Sequence, residues 1–126
     1  MKLSHEMKLI IAKSDAKNQW LPLWMHATDA ANVMSELIHE RYSSLPDKCN
    51  MSFSDFKRTA ILLAYLHDIG KITPLFQSQI LKSLPTRRSI FEHYGIDNIS
   101  ENFIDKEKSH HTKCGEAILL DLGFPK

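Results

Sequence analysis

Residues 62–77 read LLAYLHDIGKITPLFQ, an apolar run that ends in an imidazole and a carboxylate side by side, His67 and Asp68, with Gly70 and Lys71 close behind. A neutral imidazole offers one ring nitrogen to a metal while a hydrogen bond fixes the other, and a carboxylate supplies charge that balances a divalent cation. A carboxylate drawn into an apolar setting costs on the order of several kcal/mol unless a cation, hydrogen-bond donors or solvent meets it. A metal meets that need most simply. Consecutive residues diverge within a helix, but at its last turn a histidine and an aspartate can converge on one ion or bridge two. Lys71 suits a phosphate beside such an ion, or equally a solvated helix end where an ammonium complements the dipole.

The chain holds seven histidines, His5, His26, His39, His67, His93, His110 and His111, and the apolar patterning singles out three. A helix from about Pro22 to about Tyr42 places Leu23, His26, Ala30, Val33 and Leu37 on one stripe, at spacings of three or four. The turn residues of SSLPDKCNMS interrupt the pattern. Ser52 or Ser54 then caps a second helix running to about Asp68, with Phe53, Phe56, Ala60, Leu63 and His67 on one face. Ile61, Leu62 and Leu66 cover much of the remaining circumference, which predicts a central helix. Gly70 supplies a left-handed cap, and Pro74 precedes a shorter helix over about Leu75 to Leu84. A last helix runs from Ser109 to Leu122, stopped by Gly123, with His111, Cys114, Ile118 and Leu122 on its inner face and His110 about 100° around. One histidine on an apolar stripe is more often a hydrogen-bonded core residue than a ligand. Three such histidines, with Asp68 beside one of them, point to a metal site.

The rest of the chain bounds the reading. Its 126 residues make at most one domain. No segment keeps up the two-residue alternation of a half-buried strand, so the expectation is an all-α fold. Residues 1–20 form a lead-in arm, and residues 85–108, PTRRSIFEHYGIDNISENFIDKEK, a long loop with one helical turn. The formal charge of +1 neither argues for nor excludes a nucleic-acid partner. Apolar runs fall far short of the roughly 20 residues a membrane span needs, which predicts a cytoplasmic protein with no membrane partner. Cys49 and Cys114 form no CxxC pair, leaving metal chemistry to histidine and carboxylate. Trp20 and Trp24 read as core anchors, with base stacking by Trp20 as the other reading. Arg87 and Arg88 read as a solvated pair that could also touch a DNA backbone.

These residues resemble a family. HDIGK matches the HD superfamily of metal-dependent phosphohydrolases. The wider set, IIAKSDAKNQWLPLWMHATDAANVMSEL, LAYLHDIGKITPLFQ and SHHTKCGEAILLDLGFP, is similar to the nuclease domain at the N-terminus of the type I CRISPR-associated helicase-nuclease, most of all its type I-E branch. The resemblance implies an all-α HD-domain helical bundle that cuts single-stranded DNA, as endonuclease or exonuclease, with one or two divalent ions (Mn, Mg, Ni, Fe or Co) that activate water. It implies His26 as the first metal ligand, His67 and Asp68 as the central pair with Asp68 bridging if two ions bind, and His111 as the next ligand. His111 stands four residues before the small Gly115, as the family pattern asks, and His110 is its substitute. Asp68 and Lys71 take the catalytic roles, with Lys71 on the scissile phosphate. The implied partners are a helicase domain, in cis or trans, and the CRISPR surveillance complex, Cascade. The family carries further ligands after LGFP, and this chain stops at Lys126. The expectation is therefore the N-terminal part of one HD domain, residues 1–126, incomplete at its C-terminal end and with an incomplete site. Two other readings stay open, an HD phosphohydrolase of nucleotides or signalling nucleotides and an inactive HD docking module.

Overall fold

The computed structural model describes residues 3–15, 17–39, 44–93 and 110–125. It is a helical protein with seven α-helices and one small sheet among those residues, in keeping with the all-α class. The chain divides into two compact units, one formed by Met1–Trp24 with Asp68–Lys126, the other by Met25–His67.

In the first unit, Ser4 caps α1 (His5–Leu9) by accepting the Met7 N–H at 3.3 Å. Strands β1 (Ile11–Ser14) and β2 (Trp20–Pro22) follow as an antiparallel pair, with Ile11 opposite Pro22, Lys13 opposite Leu21, and a bulge between Ile11 and Lys13. Their turn is built by Asp15, whose Oδ1 accepts the N–H groups of Lys17 at 2.8 Å and Gln19 at 2.9 Å. No strand pattern is visible in this stretch of the sequence. With four and three residues they are too short for sustained alternation, and the bulge leaves Ile11 and Ala12 both buried.

The lead-in segment is accordingly part of the core rather than an arm beside it. Leu9 and Ile11 pack with Leu81, Leu84 and Phe91, and Trp20, Ile80 and Ile90 lie against that cluster. Leu81 closes α5 (Pro74–Leu81), which has proline at its first turn, where no N–H partner is needed. Phe91 belongs to α6 (Pro85–His93), a nine-residue helix where the sequence suggested a loop. The polar surroundings of Ile90 and Phe91 hid its apolar stripe. Residues 94–109, including the Ser109 cap, lie outside the described residues. Helix α7 (His111–Asp121) ends before Gly123, whose φ of 88° is the left-handed stop expected there.

The fully buried Gln77 organises this unit. Its Oε1 accepts the Ile11 N–H at 3.0 Å, while its Nε2 donates to the carbonyls of Ile11 at 2.9 Å and Lys71 at 2.6 Å. The Ile11 carbonyl needs this donor because its ladder partner, Pro22, has no N–H to give. One carboxamide thus ties α5 to β1 and to the 3-10 turn Ile69–Ile72.

The second unit holds α2 from Met25 onward (the helix spans Leu23–Leu37), α3 (Ser44–Lys48) and α4 (Phe53–Leu66). The buried positions of α2 are Leu23, Ala27 and Ala31, at spacings of four. His26 is half-buried and Ala30 is partly so, while Val33 and Leu37 are each 57% exposed, so the expected stripe is rotated toward the small alanines. Helix α4 begins as expected, with Ser52 accepting the Asp55 N–H at 3.1 Å. It is not a buried central helix. None of its residues is buried, and Leu62, Leu63 and Tyr65 stand in solvent. Apolar residues all round a helix do not fix how much of its circumference neighbours cover. Among the described residues, no helix is long and apolar enough to cross a membrane.

Candidate metal centre

His67 caps the C-terminus of α4 and is exposed rather than sunk in an apolar face. Its Nδ1 lies 2.6 Å from the Ala64 carbonyl oxygen. A carbonyl only accepts, so Nδ1 is the donor in this contact, and in a neutral ring the lone pair then falls on Nε2. A histidine held this way is oriented for ligation. The His26 ring stands 5.2 Å away, tilted by 60°, and each ring offers one nitrogen within 4.8 Å of the other's.

The next residue, Asp68, belongs to the first unit, where it is only 8% exposed. Its Oδ2 pairs with Lys71 Nζ at 2.7 Å, and its Oδ1 lies 3.6 Å from His111 Nε2. The Lys71 N–H closes the turn on the Asp68 carbonyl at 2.9 Å. Phe76 links the other two groups. Its ring lies 5.6 Å from Lys71 Nζ and meets the His111 ring nearly edge-on at 5.5 Å.

Gly70 explains how α7 reaches Asp68. The sequence suggested a left-handed cap there, but Gly70 sits inside the 3-10 turn without a positive φ. Its role is close approach. A Cβ on Gly70 would overlap the His111 carbonyl oxygen and stand 2.5 Å from the Gly115 nitrogen. A Cβ on Gly115 would come within 3.3 Å of the Gly70 nitrogen. The turn and α7 therefore meet backbone to backbone, and the first residue of α7 arrives at the carboxylate.

The structure thus sets His26 with His67 in one unit and Asp68 with Lys71 and His111 in the other, the two sets joined by the His67–Asp68 peptide bond. His110 is exposed at the N-cap of α7, its Nδ1 2.6 Å from Thr112 Oγ1 and its ring stacked on His111 at 4.5 Å. His5, His39 and His93 are exposed as well. Trp20 packs against the core with the Arg87 guanidinium 3.9 Å over its ring. Burial there lowers the Arg87 pKa from its ordinary value. Sequence reasoning missed Phe76, Gln77 and Gly115 as site-building residues. Gln77 is one of three polar residues in LFQSQIL, beside Ser78 and Gln79, so nothing in the local pattern sets it apart.

The donors fit a divalent ion. Two atoms 3.6 Å apart, as Asp68 Oδ1 and His111 Nε2 are, can both lie about 2.1 Å from one ion, the usual length for nitrogen and carboxylate ligands. Imidazoles with a carboxylate form a donor set common to Zn, Mn, Fe and Ni sites. Residues 12–124 match the family described as Cas3, HD domain.

The chain belongs to the Cas3 HD-domain family.

The span that carries the Cas3 HD match takes in His26, His67, Asp68, Lys71 and His111. The chain is also similar to the CRISPR-associated nuclease/helicase Cas3 of Streptococcus thermophilus, 32% identical over 120 residues that cover 82% of this chain. It spans 13% of that Cas3 relative's length. No solved structure gives a match to this Cas3 HD chain.

Proposed function

We propose that this chain is the metal-binding part of an HD nuclease that cuts single-stranded DNA in type I CRISPR interference, alongside a helicase domain and the surveillance complex Cascade. One observation carries the reading. The buried Asp68 carboxylate, with His111 Nε2 at 3.6 Å, directly follows a histidine whose Nδ1 is committed to the Ala64 carbonyl. Family membership supplies the reaction class.

In this reading His26, His67, Asp68 and His111 are the residues that would supply metal ligands. When bound, a divalent ion would supply Lewis acidity toward a phosphoryl oxygen and lower the pKa of water. The Ala64 carbonyl keeps the proton on His67 Nδ1, so Nε2 stays a ligand atom. Asp68 contributes the negative charge that offsets the cation. Lys71 offers three N–H donors to a phosphodiester and neutralises its charge where it enters.

The test is to incubate the 126-residue chain with labelled single-stranded DNA and, separately, with nucleotides, in Mn²⁺, Mg²⁺, Ni²⁺, Fe²⁺ or Co²⁺, beside Asp68→Ala. Metal-dependent DNA cleavage that disappears in Asp68→Ala supports the reading. Turnover of nucleotides alone would put the chain among the nucleotide phosphohydrolases, and a folded chain with no turnover would mark it as a docking module.

A further inference from the structure

Lys71 is placed to do more than meet a phosphate. Its ammonium sits 2.7 Å from Asp68 Oδ2, and the two side chains keep only 14% and 11% of their exposure. An ion pair so far withdrawn from water satisfies a carboxylate that would otherwise be costly to bury. A divalent ion would take the other oxygen of the same carboxylate, Oδ1, beside His111 Nε2. An ammonium held on one carboxylate oxygen and a metal bound to the other would place like charges roughly 5 Å apart in a setting withdrawn from water, an arrangement their mutual repulsion opposes.

We infer that Lys71 is the resident counter-cation of Asp68 and is displaced from the carboxylate when a divalent ion binds. The inference rests on the metal reading above and adds an exchange of cations at one carboxylate. The Lys71 backbone is anchored at both ends, its N–H on the Asp68 carbonyl at 2.9 Å and its carbonyl on Gln77 Nε2 at 2.6 Å. Exchange therefore moves only the side chain, on its flexible four-carbon stem. The face of Phe76, 5.6 Å from Nζ, offers a cation–π resting place along that path. Metal loading and presentation of the ammonium to a substrate phosphate become one event.

A purely structural lysine would stabilise the fold and leave metal affinity untouched or weakened when removed. A displaced counter-cation gives the opposite sign. Titration calorimetry of the 126-residue chain with Mn²⁺ is expected to show Lys71→Met binding about tenfold more tightly than wild type, the weight of one partly buried ion pair. Lys71→Arg, which keeps the charge, is expected to stay within about threefold of wild type, since its guanidinium also pairs with the carboxylate. Without metal, Lys71→Met is expected to melt below wild type and to recover more on adding Mn²⁺, because a tighter ligand raises stability more. In wild type with ¹³C-labelled lysine, the Lys71 Cε resonance is expected to move in proportion to occupancy as Mg²⁺ or Zn²⁺ is added, a readout independent of whether Lys71→Met folds. Mn²⁺ binding by wild type with no gain in folded Lys71→Met, or an unmoved Lys71 resonance at saturation, would overturn the exchange and leave the metal reading standing. Absence of binding in both proteins would overturn the metal reading and the exchange with it.

Discussion

Replacing Gln77 with leucine keeps the side chain's approximate volume and removes three hydrogen bonds. Two of them serve Ile11, which is fully buried and paired in the sheet with a proline that cannot donate. The third, to the Lys71 carbonyl at 2.6 Å, lies in a partly buried setting that water can reach after some rearrangement. Leaving a buried N–H or carbonyl without a partner costs roughly 1–3 kcal/mol each, so the Ile11 pair sets a loss of about 3 kcal/mol and the Lys71 carbonyl adds little. For a domain of this size that lowers Tm by about 10 °C. Circular dichroism at 222 nm during heating measures it. Gln77→Glu sharpens the test: a carboxylate accepts the Ile11 N–H but repels the two carbonyls, and only its protonated form can donate to one of them. Burial and those carbonyls raise its folded pKa above the unfolded value, so its stability recovers as pH falls through the folded pKa. A Tm for Gln77→Leu within 3 °C of wild type, or no recovery of Gln77→Glu in acid, would show that Gln77 does not carry the Ile11 hydrogen bonds' share of stability.

Gly70→Ala forces the 3-10 turn off α7 and is expected to cost about 3 kcal/mol, whereas Gly115→Ala, whose nearest neighbour is 3.3 Å away, costs under about 1.5 kcal/mol; urea midpoints compare the two. His111→Ala is expected to weaken Mn²⁺ binding at least about tenfold, while His110→Ala stays within about twofold, because His111 meets Asp68 and His110 is exposed. The reverse order in calorimetry would reassign the ligand. The Glu6 carboxyl is held below its ordinary range, chiefly by the Ser4 side chain and then by its own backbone N–H, so its contribution is present above the unfolded pKa and lost as pH falls through the lower folded value. Ser4→Ala is expected to move the Glu6 titration upward by NMR, and an unmoved titration would contradict that cause.

The helices were legible where apolar spacing ran long and caps were plain, as with Ser52 opening α4 and Gly123 stopping α7. What escaped was structure whose cause lies in distant residues. Strands β1 and β2 show no alternation because a bulge buries neighbouring Ile11 and Ala12 together, and α6 hides its one buried Phe91 in a polar segment. Exposure of Val33, Leu37, Leu62 and Leu63 reflects how much cover each helix receives, a property of its neighbours and not of its own periodicity. At the site, residue types named His67 and Asp68, yet the sense of Gly70 was misread. A glycine that turns a chain and one that lets two backbones touch look alike in sequence, and Gly115 on the other side of the contact decides between them.

Metal binding by His67 and Asp68 is tested most sharply by electron paramagnetic resonance of Mn²⁺ bound to the chain carrying ¹⁵N-labelled histidine, with Asp68→Ala beside it. Bound Mn²⁺ with hyperfine coupling to histidine nitrogen is expected, and loss of that bound signal in Asp68→Ala. Bound Mn²⁺ without histidine coupling, or binding unchanged by Asp68→Ala, would contradict metal binding by this pair.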